Sequence, residues 1–452
     1  MRDIALLIIV GGLLPVCLVR PWIGMLLYMW LSFMNPHRLT FGFAQTMPWA
    51  FAVALVTLIG LAITHDRKRI QWNTPLILMA LCALYFTLTT FTAMAQTEAW
   101  RAWNQFEKII LMSVVLPFAI YGRDRIKLTV VVAALSIGFF GFKGGIFTIT
   151  HGGVSQIRGP EGSFIEDNNS IGLALVMVVP LLHWLAGQET RKWLARSYLV
   201  TMWLSMLSAV FTYSRGALVG LAVIAPLLLL RTRRKVLVVL LLVPLAYFGK
   251  DWVPEELYSR AESIENYQTD TSAMLRFQSW GVALNVAREH PLSGGGFSFE
   301  YIADARWLAY APFLVEGANN YARAAHSIYF QALGNHGFVG FGLFVAMLIS
   351  TLLAFRRIMA QAKKSPETEW IGRLASGLQI SLVAYMVSGA FLSLAYFDLP
   401  YLLISLSAIL QRELATRGVA SESARAGEPK PSLIPPGAIV GTSRTEGPLR
   451  RQ

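Results

Sequence analysis

The chain has 452 residues, of which 55% are hydrophobic and only 14% charged, with a mean hydropathy of +0.51. A water-soluble domain carries about 25% charged residues, so this composition excludes a soluble enzyme and points to a polytopic membrane protein. The excess of 39 Lys and Arg over 26 Asp and Glu gives a net charge of +13, which in a membrane chain reads as loop topology rather than nucleic-acid binding.

Apolar segments fall near 4–19, 21–34, 48–64, 74–94, 106–121, 127–149, 169–186, 197–213, 216–230, 234–249, 327–355, 372–392 and 396–411, many of them long enough to span about 30 Å of hydrocarbon as a helix. The first has no small-residue cleavage site before Arg20-Pro21, and reads as a retained anchor. Segments 4–19 and 21–34 are each short for a crossing. Taken as one broken or re-entrant unit they give about 12 transmembrane helices with both termini inside; taken as two crossings they give thirteen, with the N-terminus outside. The first count is the expectation. Cys17 and Cys82, both within apolar runs, support neither a disulfide framework nor a Cys-based metal site.

Basic residues cluster on alternate loops: Arg67-Lys68-Arg69, Arg123/Arg125/Lys127, Arg191/Lys192/Arg196, Arg231/Arg233/Arg234/Lys235 and Arg356/Arg357/Lys363/Lys364/Arg373. The short intervening loops hold only Arg38, Arg101, Lys108, Arg158 and Arg215. The positive-inside rule then makes the first set cytoplasmic and puts the long loop 250–326 in the periplasm. The expected organisation is transmembrane helices over 1–249, a large periplasmic loop over 250–326, further transmembrane helices over 327–412, and a disordered cytoplasmic tail over 413–452, where Pro, Gly, Ser and Arg replace the apolar pattern. There is no internal repeat.

The large loop carries ten acidic and six basic residues between Lys250 and Ala325 and reads as a small folded module. Within it Met274, Phe277, Trp280, Leu284 and Ala287 recur at helical spacing, the pattern of an amphipathic helix lying along the membrane surface. Trp307, Tyr310, Phe313 and Tyr321 fit an interfacial aromatic belt or a sugar-stacking platform.

Three polar pieces gather at the outer face, where a charge must be offset by pairing or function. Thr212-Tyr213-Ser214-Arg215-Gly216 interrupts two apolar runs; Arg276 heads the amphipathic helix; His326 stands where the chain re-enters the membrane, opening a helix that carries Tyr329, Leu333 and Gly337 on one face. Lys143-Gly144-Gly145 and Arg158 through Asn168-Asn169 add polar groups at the same end. Each has a plainer reading, as headgroup anchor, boundary histidine or loop. Together they describe a reaction centre: two guanidiniums neutralise a pyrophosphate through forked hydrogen bonds, and a neutral imidazole accepts a proton from an attacking hydroxyl. No Asp-x-Asp pair, Walker loop or Rossmann fingerprint is present, so no metal or other cofactor is expected and the energy must arrive with the donor.

The chain resembles the O-antigen ligases, in a wider group that includes O-antigen polymerases and exosortase-associated O-glycosylation ligases. The resemblance rests on His326 followed at Gly337 after ten residues, on Ser214-Arg215-Gly216, on Arg276 before Trp280 with the His290-Pro291-Leu292-x-Gly294-x-Gly296 turn, and on Gly162-Ser163-Phe164 before Asp167-Asn168-Asn169. It implies an all-α, GT-C-like glycosyltransferase of the bacterial inner membrane. Such an enzyme moves a polysaccharide from undecaprenyl pyrophosphate to a sugar hydroxyl of lipid A-core, without metal and with inversion, in lipopolysaccharide biosynthesis. Its partners would be these two lipid-linked substrates and the surrounding membrane lipids, with no nucleic acid. Arg215 and Arg276 would hold the pyrophosphate and His326 would act as general base, while Ser214, Tyr329, Lys143, Arg158, Asn168 and Asn169 would complete the substrate-binding surface. His336, adjacent to Gly337, is a second imidazole that could compete for the base role. A polymerase or a protein O-glycosylation ligase would use the same centre with another acceptor. A twelve-helix secondary transporter is the reading from a different class, and it would need polar sites at the midplane instead.

Overall fold

The computed structural model describes residues 1–153, 155–229 and 271–427, and among them the chain is all helical with no strand. In chain order the helices are α1 (Arg2–Val19), α2 (Pro21–Met34), α3 (Trp49–Ile63), α4 (Thr74–Phe91), α5 (Gln96–Ala119), α6 (Gly122–Thr150), α7 (Asn168–Gln188), α8 (Lys192–Val210), α9 (Arg215–Leu229), α10 (Thr271–Glu289), α11 (Asp304–Ala309), α12 (Ile328–Ala362), α13 (Glu369–Ser388) and α14 (Asp398–Gly427). Among the described residues six spans are long and apolar enough to cross a membrane; α2, α3 and α9 are shorter apolar helices. The twelve crossings expected from sequence are therefore matched only in part. The apolar segment 234–249 and the basic run Arg231 to Lys235 lie outside the described residues.

Helix α7 is the axis of the bundle. Every residue from Ser170 to Leu182 is buried, as befits a helix apolar on all its faces, and α6, α8, α9 and α13 pack around it. Its start is fixed by Asp167, whose carboxylate accepts the Asn169 and Ser170 N–H groups at 2.8 and 3.2 Å.

The basic loops share one end. Arg125 pairs with Asp66 at 2.8 Å, Lys127 with Glu189 at 2.9 Å, and Arg412 donates to the Pro117 and Ile120 carbonyls at 2.6 Å each. At the opposite, far end the loop after α4 meets residues 271–327 through the Met94 N–H on the Gly295 carbonyl, and the loop after α13 through Ser393 on the His326 N–H.

The first two helices correct an expectation. Arg2 donates to the Leu39 carbonyl, and Asp3 accepts from the Gly42 and Ala44 N–H groups, so α1 begins at the far end. Its other end reaches Gly60 near the C-terminus of α3, against the Cys17 and Leu18 carbonyls. Arg125 lies 5.0 Å from the Trp22 ring, which fixes the Arg20-Pro21 turn at the basic end. Thus α1 and α2 form an antiparallel hairpin, not a single broken unit. Pro21 makes the sharp turn possible because a proline at the first helical position sacrifices no intrahelical bond.

Helix α14 continues to Gly427, into the stretch expected to be a disordered tail. Cys17 and Cys82 are buried and unbonded.

Residues 271–327 build a module with its own core of Val282, Ala283, Val286, Phe299, Ile302 and Trp307. The buried stripe of α10 is Gln278, Ser279, Val282, Ala283, Val286 and Ala287, whereas Phe277 is exposed and Met274 and Leu284 only half-buried. Small residues let α10 lie close against α12. Trp307 is completely buried, so it belongs neither to a belt nor to a stacking platform, while Tyr321 is exposed beneath the Arg323 guanidinium at 4.3 Å.

The module is clamped to α12 at a break. Gly337 has φ +66° and ψ −169°, dividing α12 into a short helix and a long one. Into the gap fits the turn after α10: Gly295 and Gly296 donate to the Gly334 and Asn335 carbonyls, and Phe338 donates to the Pro291 carbonyl, at 2.8, 2.8 and 2.9 Å. A Cβ at 337 would stand 2.5 Å from the Pro291 oxygen. Glycine is required there for both its backbone angle and its lack of volume.

Candidate functional site

The stretch 212–216 folds as the sharp start of α9. Tyr213 takes φ +54°, its hydroxyl donates to the Gly153 carbonyl at 2.5 Å, and Ser214 caps the helix by accepting the Ala217 N–H at 3.3 Å. Ser214 is 1% exposed, which makes it a structural cap rather than a substrate contact. Arg215, half-buried, is thereby set at the N-terminus of α9, where the helix dipole adds to its own positive charge in favour of an anion.

The Asn168 amide donates to the Thr212 carbonyl at 2.9 Å, and Asn169 donates to the Asn168 side chain at 3.4 Å. Gln156 reaches the same Thr212 carbonyl at 3.4 Å and accepts from exposed Arg158 at 3.3 Å. These residues surround the start of α9. Lys143 does not join them: it is exposed on α6, between exposed Phe142 and Ile146, while Gly144 and Gly145 turn inward to pack on Ser208 and Leu204 of α8. The sequence placed Lys143 in the substrate-binding surface as a polar group near the outer end of a helix; the two glycines beside it are the small residues of a close helix crossing.

His326 does not open α12. It precedes the Ser327 N-cap with φ +48°, a left-handed conformation uncommon outside glycine, and two bonds hold it there. Its N–H donates to Ser393 Oγ at 2.8 Å, and Trp280 Nε1 donates to the carbonyl of Ala325 at 2.7 Å while its ring stacks on Phe330 at 4.9 Å. Burial pushes the His326 pKa down from the ordinary imidazole value; the positive charges of Arg276 and Arg323 push it the same way, and Asp167 opposes them. The ring is therefore neutral at pH 7.

The segment 388–393 links the two halves of the site. A Cβ at Gly216 would meet the Ser388 carbonyl at 3.0 Å and Phe391 at 3.3 Å, and one at Gly389 would meet Ile328 at 2.7 Å. Gly216, next to Arg215 in sequence, thus packs on this segment, His326 is bonded to its end at Ser393, and Arg276 is within electrostatic reach of the imidazole. Tyr329 donates its hydroxyl to the Met386 carbonyl at 2.8 Å, so its first role is to fix α12 on α13.

The second imidazole is accounted for. His336 is fully buried, its Nδ1 lies 2.7 Å from Thr89 Oγ1, its Nε2 3.0 Å from Tyr396 OH, and its ring stacks on Phe86 at 3.7 Å. Both nitrogens are occupied, which leaves His326 as the imidazole open to chemistry.

Sequence reasoning passed over Ser393, the backbone-holding role of Trp280, and the charges of Arg323 and Asp167. Asp167 stands within a motif already noted and Arg323 close before another, but Ser393 sits in an unremarkable Leu-Ser-Leu stretch and gives no signal.

In comparisons with known proteins, residues 1–190 match a family of unknown function, DUF5935, and residues 200–345 match the O-antigen ligase family. No curated protein matches the chain. The second match spans Ser214-Arg215-Gly216, Arg276, His326 and Gly337, so it is in this segment that the chain is similar to the O-antigen ligases.

Proposed function

We propose that the chain transfers O-antigen polysaccharide from undecaprenyl pyrophosphate to a sugar hydroxyl of lipid A-core, at the periplasmic face of the bacterial inner membrane. The positive-inside rule favours this face, because the basic loops lie at the end opposite to His326. The observation that carries the reading is the electrostatic meeting of His326 with Arg276 beside segment 388–393, on which Gly216, the neighbour of Arg215, packs.

In this reading Arg215 and Arg276 bind the pyrophosphate oxygens and stabilise the charge that develops as the bond from the anomeric carbon to the phosphate oxygen breaks. The acceptor oxygen attacks that carbon from the opposite face and gives its proton to the His326 imidazole, so configuration inverts and undecaprenyl pyrophosphate departs. Arginines supply the positive charge, and the chemistry needs no metal. Both substrates are lipids held in one leaflet, which confines them to a plane before any protein contact and lowers the entropic cost of bringing them together.

The test is transfer in vitro from purified undecaprenyl-linked polysaccharide to defined acceptors, with and without EDTA. The expected product is polysaccharide on lipid A-core, in equal yield under chelation. Transfer only to a second lipid-linked repeat, or only to a protein hydroxyl, would reassign the acceptor, and strict dependence on a divalent cation would overturn the role given to the arginines.

A further inference from the structure

At the basic end, α7, α9, α12 and α13 diverge around a cavity of about 420 Å³, far from the site described above. It exists because this part of α7 and α13 is built of small residues: Gly187, Gly372, Ser376 and Gly377 line it, and a Cβ at Gly187 would meet nothing within 4 Å. Its floor is apolar, made by Pro180, Leu228, Met359 and Ile380. Its mouth is cationic. Lys363 and Arg373 stand there, both exposed; Arg373 holds Glu369 at 2.6 Å, and among the described residues the Lys363 ammonium meets no carboxylate. Arg123, which donates to Gln188 at 3.3 Å, borders the adjoining groove with Arg373, Glu367 and Glu369.

The wall contains a second indication of a missing partner. Trp184 is 6% exposed, and among the described residues its indole N–H has no hydrogen-bond acceptor; a buried donor left in this state is unusual.

An apolar floor beneath a cationic mouth matches an amphiphile with a negatively charged head. A soluble anion would leave the floor unused, and a zwitterionic lipid would bring a second cation to Lys363 and Arg373. Basic pockets between membrane helices recognise anionic headgroups on these grounds. We infer that this cavity is a binding site for an anionic phospholipid, with its phosphate at Lys363 and Arg373 and the upper part of its chains on the Leu228, Met359 and Ile380 floor. The inference goes beyond the proposed transfer reaction and does not depend on it.

Native mass spectrometry of the delipidated full-length chain tests this, with phosphatidylglycerol, phosphatidylcholine and glycerol 3-phosphate as probes. Phosphatidylglycerol is expected to stay bound under activation that strips phosphatidylcholine. Lys363→Glu, a change at an exposed position, should weaken its binding by about fivefold or more. Leu228→Trp, which fills the floor from a half-buried position, should remove the bound lipid, with unfolding temperatures of both lipid-free variants close to that of the parent. Equal retention of the two lipids, undiminished phosphatidylglycerol binding in both variants, or displacement by glycerol 3-phosphate at equal concentration would each overturn the assignment.

Discussion

Trp280 on α10 donates its indole N–H to the carbonyl of Ala325, the residue immediately before His326. With the Ser393 hydroxyl on the His326 N–H, it secures the backbone on both sides of a residue in a left-handed conformation. Strain of this kind persists only where the surroundings over-determine it. The arrangement holds the imidazole through its main chain and leaves its ring free.

Loss of either support should therefore misplace the base without removing it. Ser393→Ala and Trp280→Phe are each expected to lower kcat by about 10- to 100-fold with little change in KM, and Ser393→Thr should recover most of the rate. Initial-rate kinetics with the lipid-linked donor separate these effects; a rise in KM at constant kcat would mean that the two residues contact substrate instead.

The two imidazoles should respond differently to removal. His326→Ala is expected to reduce transfer by about 10²- to 10⁴-fold while the protein still folds and binds donor. His336→Ala takes one partner from the Thr89 hydroxyl, which keeps the Phe86 carbonyl, and one from Tyr396, which keeps the Asn335 amide, and it opens a void against Phe86, so it should lower the unfolding temperature. Thermal unfolding in detergent beside an activity assay distinguishes the two, and full activity in His326→Ala would remove the base assignment.

Lowering of the His326 pKa has a definite sign in the pH profile. A general base works deprotonated, so activity should rise with pH through an apparent pKa below 6.5 and level off by neutrality. Arg276→Gln removes one of the charges that hold the imidazole neutral. The acid limb should then move to higher pH, together with a lower plateau from weakened pyrophosphate binding. An unmoved limb would separate Arg276 from the imidazole.

A point charge cannot reproduce the two parallel bonds that a guanidinium offers to a phosphate. Arg215→Lys and Arg276→Lys should each retain donor binding at low ionic strength yet lose about 100-fold in rate, in the range found when a single oxyanion donor is removed. Wild-type rates in either variant would reduce that arginine to a headgroup anchor.

Substitution of Gly337 tests the clamp between module and membrane helices. Gly337→Ala forces a side chain into a positive-φ position facing the Pro291 carbonyl, and should cost about 1–3 kcal/mol from the backbone alone. Limited proteolysis of the 290–296 turn, together with the unfolding temperature, reads this directly.

Much of the helical order was legible because apolar run length responds to a single physical variable, the thickness of hydrocarbon. The grouping of Arg67, Arg125 and Lys127 at one end was legible for a similar reason, since charge placement is a one-dimensional pattern. The α1–α2 hairpin was not, because fourteen residues are short for a crossing and only the contacts of Asp3 and Trp22 show where the turn points. The buried face of α10 was not legible, because Ala283, which packs against Gly334 of α12, carries no apolar signal beside Phe277 and Trp280. Lys143 was drawn into the site as a charge near a helix end, and only the structure shows it exposed on α6. Ser393 was invisible because its bond to His326 spans 67 residues and uses a backbone donor that any residue would supply.

The clamp at the α12 break is made almost wholly of main-chain bonds between 291–296 and 334–338. Such bonds are indifferent to side-chain identity, provided the glycines remain. Outward-facing positions such as Leu292, Tyr301 and Leu314 can consequently vary without loosening the scaffold that presents them, so surface and architecture are free to evolve at separate rates.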